Sequence, residues 1–415
     1  VLPSEFFHRC SDACREVGAY LLGYQRLTFP YFILHDHIHA ENVLRIYHTI
    51  LSSVYSSLSP AVDALVTCSS YLHDIGMSLP LSRVNELKIS IQEIESDAPA
   101  MREKLAKYRD FVKGGVVSLP GEYDERCSTS LPKDVADFIR LIHPWVSAKY
   151  IASDQGFKRV LAEEVGCPGA GRCADLRESF LWALARVVKL HSSKIDLKTQ
   201  QREVDVGGYR VELVKLAAVL RLADSLDISR RRAKHAFDVW RRLVEGKPSQ
   251  LKHWLFKWSI SRIDLLPDGV SVEVTPSEDH VEEIAKVVGV AVFELGHNVA
   301  KDYNSYLEIV GKPLQFYIRV PGAREVAVDI EELKHCYEAI KGRRSLPGGD
   351  VISRMLEELR GRFRLESPSQ QPDLDLLDLL ASALYRREGL SDVVRELSRQ
   401  KCVGRLLQKI YTGGA

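Results

Sequence analysis

Six side chains in this sequence have the types and placements of a metal-binding set: His39, His73, Asp74, His143, His191 and Asp224. His39 begins HAENVLRIY, with Val43, Ile46 and Tyr47 following at four, seven and eight positions, which sets its imidazole on the apolar stripe of a helix. Asp224, in LRLADSLDISRRR, is flanked at helical spacing by Ala217, Leu220 and Ile228, so its carboxylate also lies on an apolar face. A buried imidazole wants a hydrogen-bond partner, and a buried carboxylate needs a cation or a tight salt bridge. His73 and Asp74 are adjacent in SSYLHDIGM, where the pattern predicts a helix ending at Gly76. Taken singly, His39 reads as a hydrogen-bonded core histidine and Asp224 as the ion-pair partner of Arg221 or Arg45. Taken jointly, imidazoles and carboxylates without thiolate suit a divalent ion of the Mn, Fe, Ni or Co kind. His143 precedes Pro144, read as opening a helix, and His191 ends the helix SFLWALARVVKLH. Both read as facing loops, where a ligand to a second metal would leave positions open for water and substrate.

These residues have to be carried by helices. Apolar residues recur at three and four positions in VLRIYHTILSSVY, AVDALVTCSSYL, FLWALARVVKL and VELVKLAAVLRLA, and the fold class is mainly α. Residues 1–245 read as the helical domain that holds the site, with a polar insertion at about 78–132 containing a charged helical stretch, Asn85 to Lys113, and the loop SLPGEYDERCSTSLP. Residues 246–342 read as a small α+β domain. There WLFKWSISRIDLL and VSVEVTP flank the turn Pro267-Asp268-Gly269, a helix spans Val281 to Asn304, and LQFYIRV and EVAVDI are further strands. Trp254 and Trp258 alternate as on one face of a strand and read as core. After the linker GRRSLPGGD, residues 351–415 form a helical C-terminal segment, a candidate for homodimer contact or for capping the fold.

The formal net charge is +1, from 57 basic and 56 acidic residues, so an anionic partner must be held locally and nucleic acid is disfavoured. No stretch reaches the roughly 18 apolar residues of a membrane span, and VLPSEFFHRCSDACREV lacks a signal-peptide layout, which reads as cytoplasmic. Only four asparagines and three methionines, with 27% charged residues, point to a thermophilic source. Among eight cysteines, Cys167 with Cys173, and Cys10 with Cys14, are placed to pair, to clip a metal or to stay free thiols.

The order His, His-Asp, His, His, Asp resembles the HD superfamily of metal-dependent phosphohydrolases over roughly residues 30 to 240. HAENVL resembles the first-histidine helix, YLHDIG the namesake motif, HPWVSAKYI the third-histidine segment and LRLADSLDISRRR the closing aspartate. The resemblance implies one or two divalent ions (Mn, Fe, Ni, Co or Mg). In its dinuclear form Asp74 bridges, His39, His73 and Asp224 complete one shell, and His143 and His191 serve the other. Asp74 and His143 would then stand at the reacting centre, where a metal-activated water attacks the phosphoester. Met77 and Ser192 stand where the HD-GYP subtype carries a lysine and a paired histidine, and that subtype is set aside. His35, one turn before His39, is a candidate extra ligand or proton relay, and Asp36 reads as an N-cap.

The expected substrate is a small phosphorylated molecule, foremost a nucleotide, with phosphate-binding candidates Arg230, Arg231, Lys149 and Lys194, each of which also reads as a solvated surface charge. Two alternatives stand beside it. One is a nucleotide-binding regulator with weak or no turnover, and the other is a metal-dependent single-strand nuclease.

Overall fold

The protein's structure is a computed structural model describing residues 3–24, 35–120, 131–166, 171–228, 230, 248–323, 325–342, 375–387 and 389–412. Helix predominates, as the apolar spacing predicts, and the described strands make only small sheets. Two units are distinguished: Val1–Pro30, Leu34–Asp227 and Asp302–Lys312 form the first, and Tyr31–Ile33, Ile228–Lys301 and Pro313–Ala415 the second.

The first unit is organised around a short buried helix. Helix α1 (Pro3–Leu22) and α2 (His37–Val54) both pack on α3 (Pro60–Leu72), whose residues from Ala64 to Leu72 are all buried. Such a helix is apolar nearly all round, and its serines are tolerated because Ser69 and Ser70 donate back to the Val66 carbonyl. Ser59 caps α3, with Pro60 at its first turn, where a missing N–H costs nothing.

The charged stretch read as a helix from Asn85 to Lys113 is instead broken into α4 (Leu81–Glu86), α5 (Ile91–Asp97) and α6 (Arg102–Leu105), followed by the hairpin of β1 (Val112–Lys113) and β2 (Val116–Val117). Ser90 caps a new start and Pro99 forces another, so helical composition gives way to local punctuation. Then come α7 (Lys133–Ser153), α8 (Gln155–Glu164) and α9 (Arg172–Leu190). The hairpin of β3 (Glu203–Val206) and β4 (Tyr209–Glu212) turns on Gly207 and Gly208, both at positive φ, and leads into α10 (Leu213–Leu226). Helix α9 packs on α3, α7 and α10, and α2, which carries His39, packs on α3 and α10, so the helices that carry the metal-set residues are linked by mutual contacts.

In the second unit the described residues include α11 (Pro248–Trp258), which corrects the strand reading of WLFKW. Leu251, Trp254 and Trp258 are three and four positions apart, a helical spacing that the alternation of Trp254, Phe256 and Trp258 masks. Trp254 is core, as read. The sheet begins only at β5 (Ile260–Leu266), which pairs antiparallel with β6 (Gly269–Val274) across Pro267-Asp268. β7 (Gln315–Arg319) lies parallel to β6, and β8 (Val326–Val328) closes the four-stranded sheet in the order β5-β6-β7-β8. A parallel neighbour requires a crossover, supplied by α12 (His280–Val288), a π-helical stretch Gly289–Val299 and α13 (Ala300–Val310).

Helix α14 (Ile330–Ile340) and the C-terminal α15 (Leu376–Arg386), α16 (Leu390–Ser398) and α17 (Lys401–Tyr411) share one hydrophobic cluster with α11 and α12. A disulfide between Cys336 and Cys402, not anticipated from the sequence, joins α14 to α17. Cys173 is also disulfide-bonded, whereas Cys167 lies outside the described residues. Cys10 and Cys14 do not pair and are buried free thiols.

Within this unit Asp378 is buried beside Lys252, Nζ to Oδ1 3.0 Å. Burial pushes its carboxyl up to about 6 against the pull of Lys252, and Asp375 pushes the same way as burial. The folded protein therefore binds this proton more tightly than an unfolded chain. The resulting stabilisation is complete below about pH 4 and is lost as pH rises through about 6. In urea unfolding from pH 4 to 7, the native protein is expected to lose on the order of 2 kcal/mol relative to Asp378→Asn. A difference that is flat, or that rises with pH, would show that Asp378 does not titrate this way.

Candidate metal centre

Helix ends explain how two of the four histidines, His73 and His191, come to point one nitrogen each at a common centre. Past its last turn a helix leaves carbonyls without N–H partners. Helix α3 stops at Leu72, and the Ser70 carbonyl accepts from His73 Nδ1 at 2.9 Å. Helix α9 stops at Leu190, and the Val188 carbonyl accepts from His191 Nδ1. His143 is different. Pro144 does not open a helix, as the sequence suggested, but lies inside α7. Lacking an N–H, Pro144 leaves the Arg140 carbonyl four residues back without its helical donor, and that carbonyl accepts from His143 Nδ1 at 2.7 Å. The proline after His143 thus supplies the acceptor that orients it. His39 uses a side chain instead, its Nδ1 donating to Asp227 Oδ2 at 2.6 Å, while Asn42 donates to the other oxygen of Asp227 at 3.2 Å.

With each Nδ1 engaged as a donor, each Nε2 is left as an acceptor, and the four converge. His39 Nε2 and His73 Nε2 are 3.4 Å apart, and His143 Nε2 and His191 Nε2 are 3.1 Å apart. Two lone pairs at such distances repel unless a proton or a metal cation lies between them. The carboxylates complete the pattern. Asp74, 3% exposed, turns Oδ2 to His73 (3.0 Å) and His39 (3.4 Å), and Oδ1 to His143 (3.1 Å) and His191 (3.9 Å). Asp224 Oδ1 is 3.2 Å from His39 Nε2 and 4.0 Å from His73 Nε2. Two groups able to hold a divalent cation result, His39–His73–Asp74–Asp224 and Asp74–His143–His191, sharing Asp74. The donor set of imidazole and carboxylate, with no thiolate, fits such an ion.

Charge in the site favours the same chemistry. Burial alone would raise the Asp74 carboxyl, but His73, His35 and His143 outweigh it and hold the group well below the usual carboxylate range. Burial likewise opposes ionisation of Asp224, and His39 overrides it downwards. Burial, then His143 and His73, push His191 down to about 3, which leaves it a neutral imidazole at neutral pH. Asp224 keeps 31% of its side chain exposed and His143 16%, so these two mark the open side of the cluster, whose other members are buried.

The structure brings all six sequence-designated residues together. His35, read as a candidate extra ligand or proton relay, has Nδ1 2.6 Å from Asp74 Oδ2, and Asp36 caps α2 through the N–H groups of Ile38 and His39. Asp224 faces histidines rather than Arg221 or Arg45. Arg221 donates to the carbonyls of Leu190 and Ile195, on either side of His191. The phosphate-binding candidates are more dispersed. Lys149 and Lys194 are exposed on the first unit, while Arg230 belongs to the second, where it donates to the Trp258 carbonyl and Thr275 and stacks on the Trp258 ring. Arg231 lies outside the described residues.

Asp227 and Asn42 were missed in the sequence, although each follows a site residue by three positions, Asp224 and His39 respectively. Such partners of a metal-binding histidine typically carry 10–100-fold in metal affinity. Asp227→Asn removes the charge that holds His39 Nδ1–H, and is expected to weaken Mn²⁺ binding by roughly 10–100-fold in a calorimetric titration. Unaltered affinity would count against a role for Asp227 in presenting His39.

No curated protein and no solved structure matches the chain. Among the described residues no helix is long and apolar enough to cross a membrane. The family model described as HD-CE matches residues 29–308, a span that includes every residue of the cluster and well over half of the chain. The ordered histidines and aspartates and the helices that gather them are accordingly those of an HD-type domain, and the chain belongs to the HD-CE family.

Proposed function

We propose that the chain is a metal-dependent phosphohydrolase that cleaves a phosphoester, foremost that of a nucleotide. The observation that carries this reading is the division of Asp74, with one carboxylate oxygen toward His39 and His73 and the other toward His143 and His191. His39, His73, Asp74 and Asp224 would hold one divalent ion and Asp74, His143 and His191 a second. Bound there, the ions would lower the pKa of water and offset charge on phosphoryl oxygens. The chain's own part is to fix the ligands before substrate arrives. Asp227 and three helix carbonyls set the histidine tautomers, and His35 hydrogen-bonds Asp74 Oδ2. The exposed side of Asp224 leaves a path for a phosphoryl group, and burial elsewhere keeps bulk water away.

Product release from nucleotides, other phosphoesters and oligonucleotides with added Mn²⁺, alongside metal content per chain, tests the proposal. Hydrolysis of a small phosphoester with one or two bound ions supports it. Binding of a nucleotide without turnover would favour the regulatory alternative, for which the engagement of Arg230 by Trp258 and Thr275 is the supporting observation.

A further inference from the structure

Directly after His191 the chain forms one wall of a cleft of about 260 Å³ in the first unit, which no member of the metal-binding cluster lines. Ser193 and Lys194 stand on that wall, Arg221 reaches the cleft from α10, and Ser305 and Glu308 reach it from α13. Arg221 is only 4% exposed. Its Nε and Nη2 each donate at 2.8 Å to a neutral carbonyl, of Leu190 and Ile195. Its Nη1 bonds to no described residue and is not sealed from solvent.

A buried guanidinium is costly unless a negative charge meets it, and carbonyl partners bring none. Burial lowers Arg221 only to about 10, with Asp302 and Asp196 opposing at longer range, so it remains a cation at neutral pH. Of the two acids that line the cleft, Glu308 pairs with Lys198, whereas Asp196 accepts only from the Lys198 backbone N–H at 3.0 Å and keeps its charge, with no hydrogen bond to Arg221. What the cleft presents to an anion is therefore a nearly buried guanidinium beside the exposed Ser193 hydroxyl and Lys194, donors suited to a tetrahedral oxyanion.

We propose that this cleft is a second anion site, separate from the metal centre, which takes a phosphoryl oxyanion either as free phosphate or as the phosphate of a nucleotide. An anion on Arg221 would also steady the two carbonyls that flank His191, linking occupancy of the cleft to the turn that presents this histidine.

The test titrates inorganic phosphate and, separately, a nucleoside monophosphate into the metal-loaded full chain by calorimetry. The native protein is compared with Asp74→Asn, Arg221→Gln and Ser193→Glu. Arg221→Gln removes the cation, and Ser193→Glu puts a negative charge into the cleft from an exposed position, so it decides the matter even if the Arg221 variant folds poorly. Binding that persists in Asp74→Asn and weakens at least about tenfold in Ser193→Glu is expected, and the probe that binds more tightly identifies the source of the phosphate. Binding that disappears with Asp74→Asn belongs to the metal centre and overturns the proposal, as does binding in Ser193→Glu equal to native.

Discussion

Asp74→Asn is expected to lower the proposed phosphoester hydrolysis by roughly 10²–10⁴-fold and to reduce bound metal by at least one ion per chain. The amide is nearly isosteric, so the cause is chemical. One carboxylate oxygen faces His39 and His73 and the other faces His143 and His191, and an asparagine presents an acceptor to only one of these pairs. The other pair meets an N–H donor that cannot ligate, and the negative charge shared by both pairs is gone. Breaking one side of a buried charge constellation costs about 3–5 kcal/mol, which is the source of the rate estimate. Metal content by mass spectrometry and turnover on whichever phosphoester the native protein cleaves would check it together. Native metal content with native turnover would rule out a shared carboxylate.

Gly76→Ala is expected to cut turnover by up to about 100-fold while leaving every ligand in the chain. A Cβ at Gly76 would sit 2.7 Å from the His143 carbonyl oxygen, 2.9 Å from Ser147 Oγ and 3.0 Å from Val146 Cβ. The nearest of these atoms belongs to the backbone of α7 and cannot swing aside, so the helix carrying His143 must move away from Asp74. The Gly76 N–H, which donates to Ser147 Oγ at 2.9 Å, would lose that bond. Overpacking of this kind costs about 1–3 kcal/mol, and a shift near 1 Å at a reacting centre costs on the order of 10²-fold in rate. Because His143 is displaced and His39 is not, binding of one metal ion should weaken more than that of the other. A Mn²⁺ titration with two separable steps, one of them unchanged, would show this, whereas equal weakening of both would point to general unfolding.

The same glycine shows where reading the sequence stops. Gly76 invited a helix-termination role, yet α3 ends earlier, at Leu72, and φ at Gly76 is not positive. Its lack of a side chain matters because another helix passes within contact distance, and no local pattern reports a neighbour 67 positions further along the chain. Pro144 was misread for a related reason. Proline most often marks a helix start, and only the position of the Arg140 carbonyl shows that here it serves the histidine before it. The helix of Trp254 and Trp258 was taken for a strand because alternate aromatic residues fit either period when burial surrounds them.

By itself the sequence determined the residue types of the candidate ligand set, their order and the helical stripe that buries His39, since each follows from residue identity and local spacing. It also determined the mainly α class, because apolar spacing over many turns leaves little choice. Tertiary structure decided which oxygen of Asp74 faces which histidines, which nitrogen each imidazole presents, that Asp227 partners His39, that Asp224 faces histidines rather than an arginine, and that Arg230 is engaged by Trp258 and Thr275. These are matters of ångströms between residues far apart in the chain, set by how α3, α7, α9 and α10 pack. Periodicity can show that a side chain is buried, but only packing shows what it is buried against.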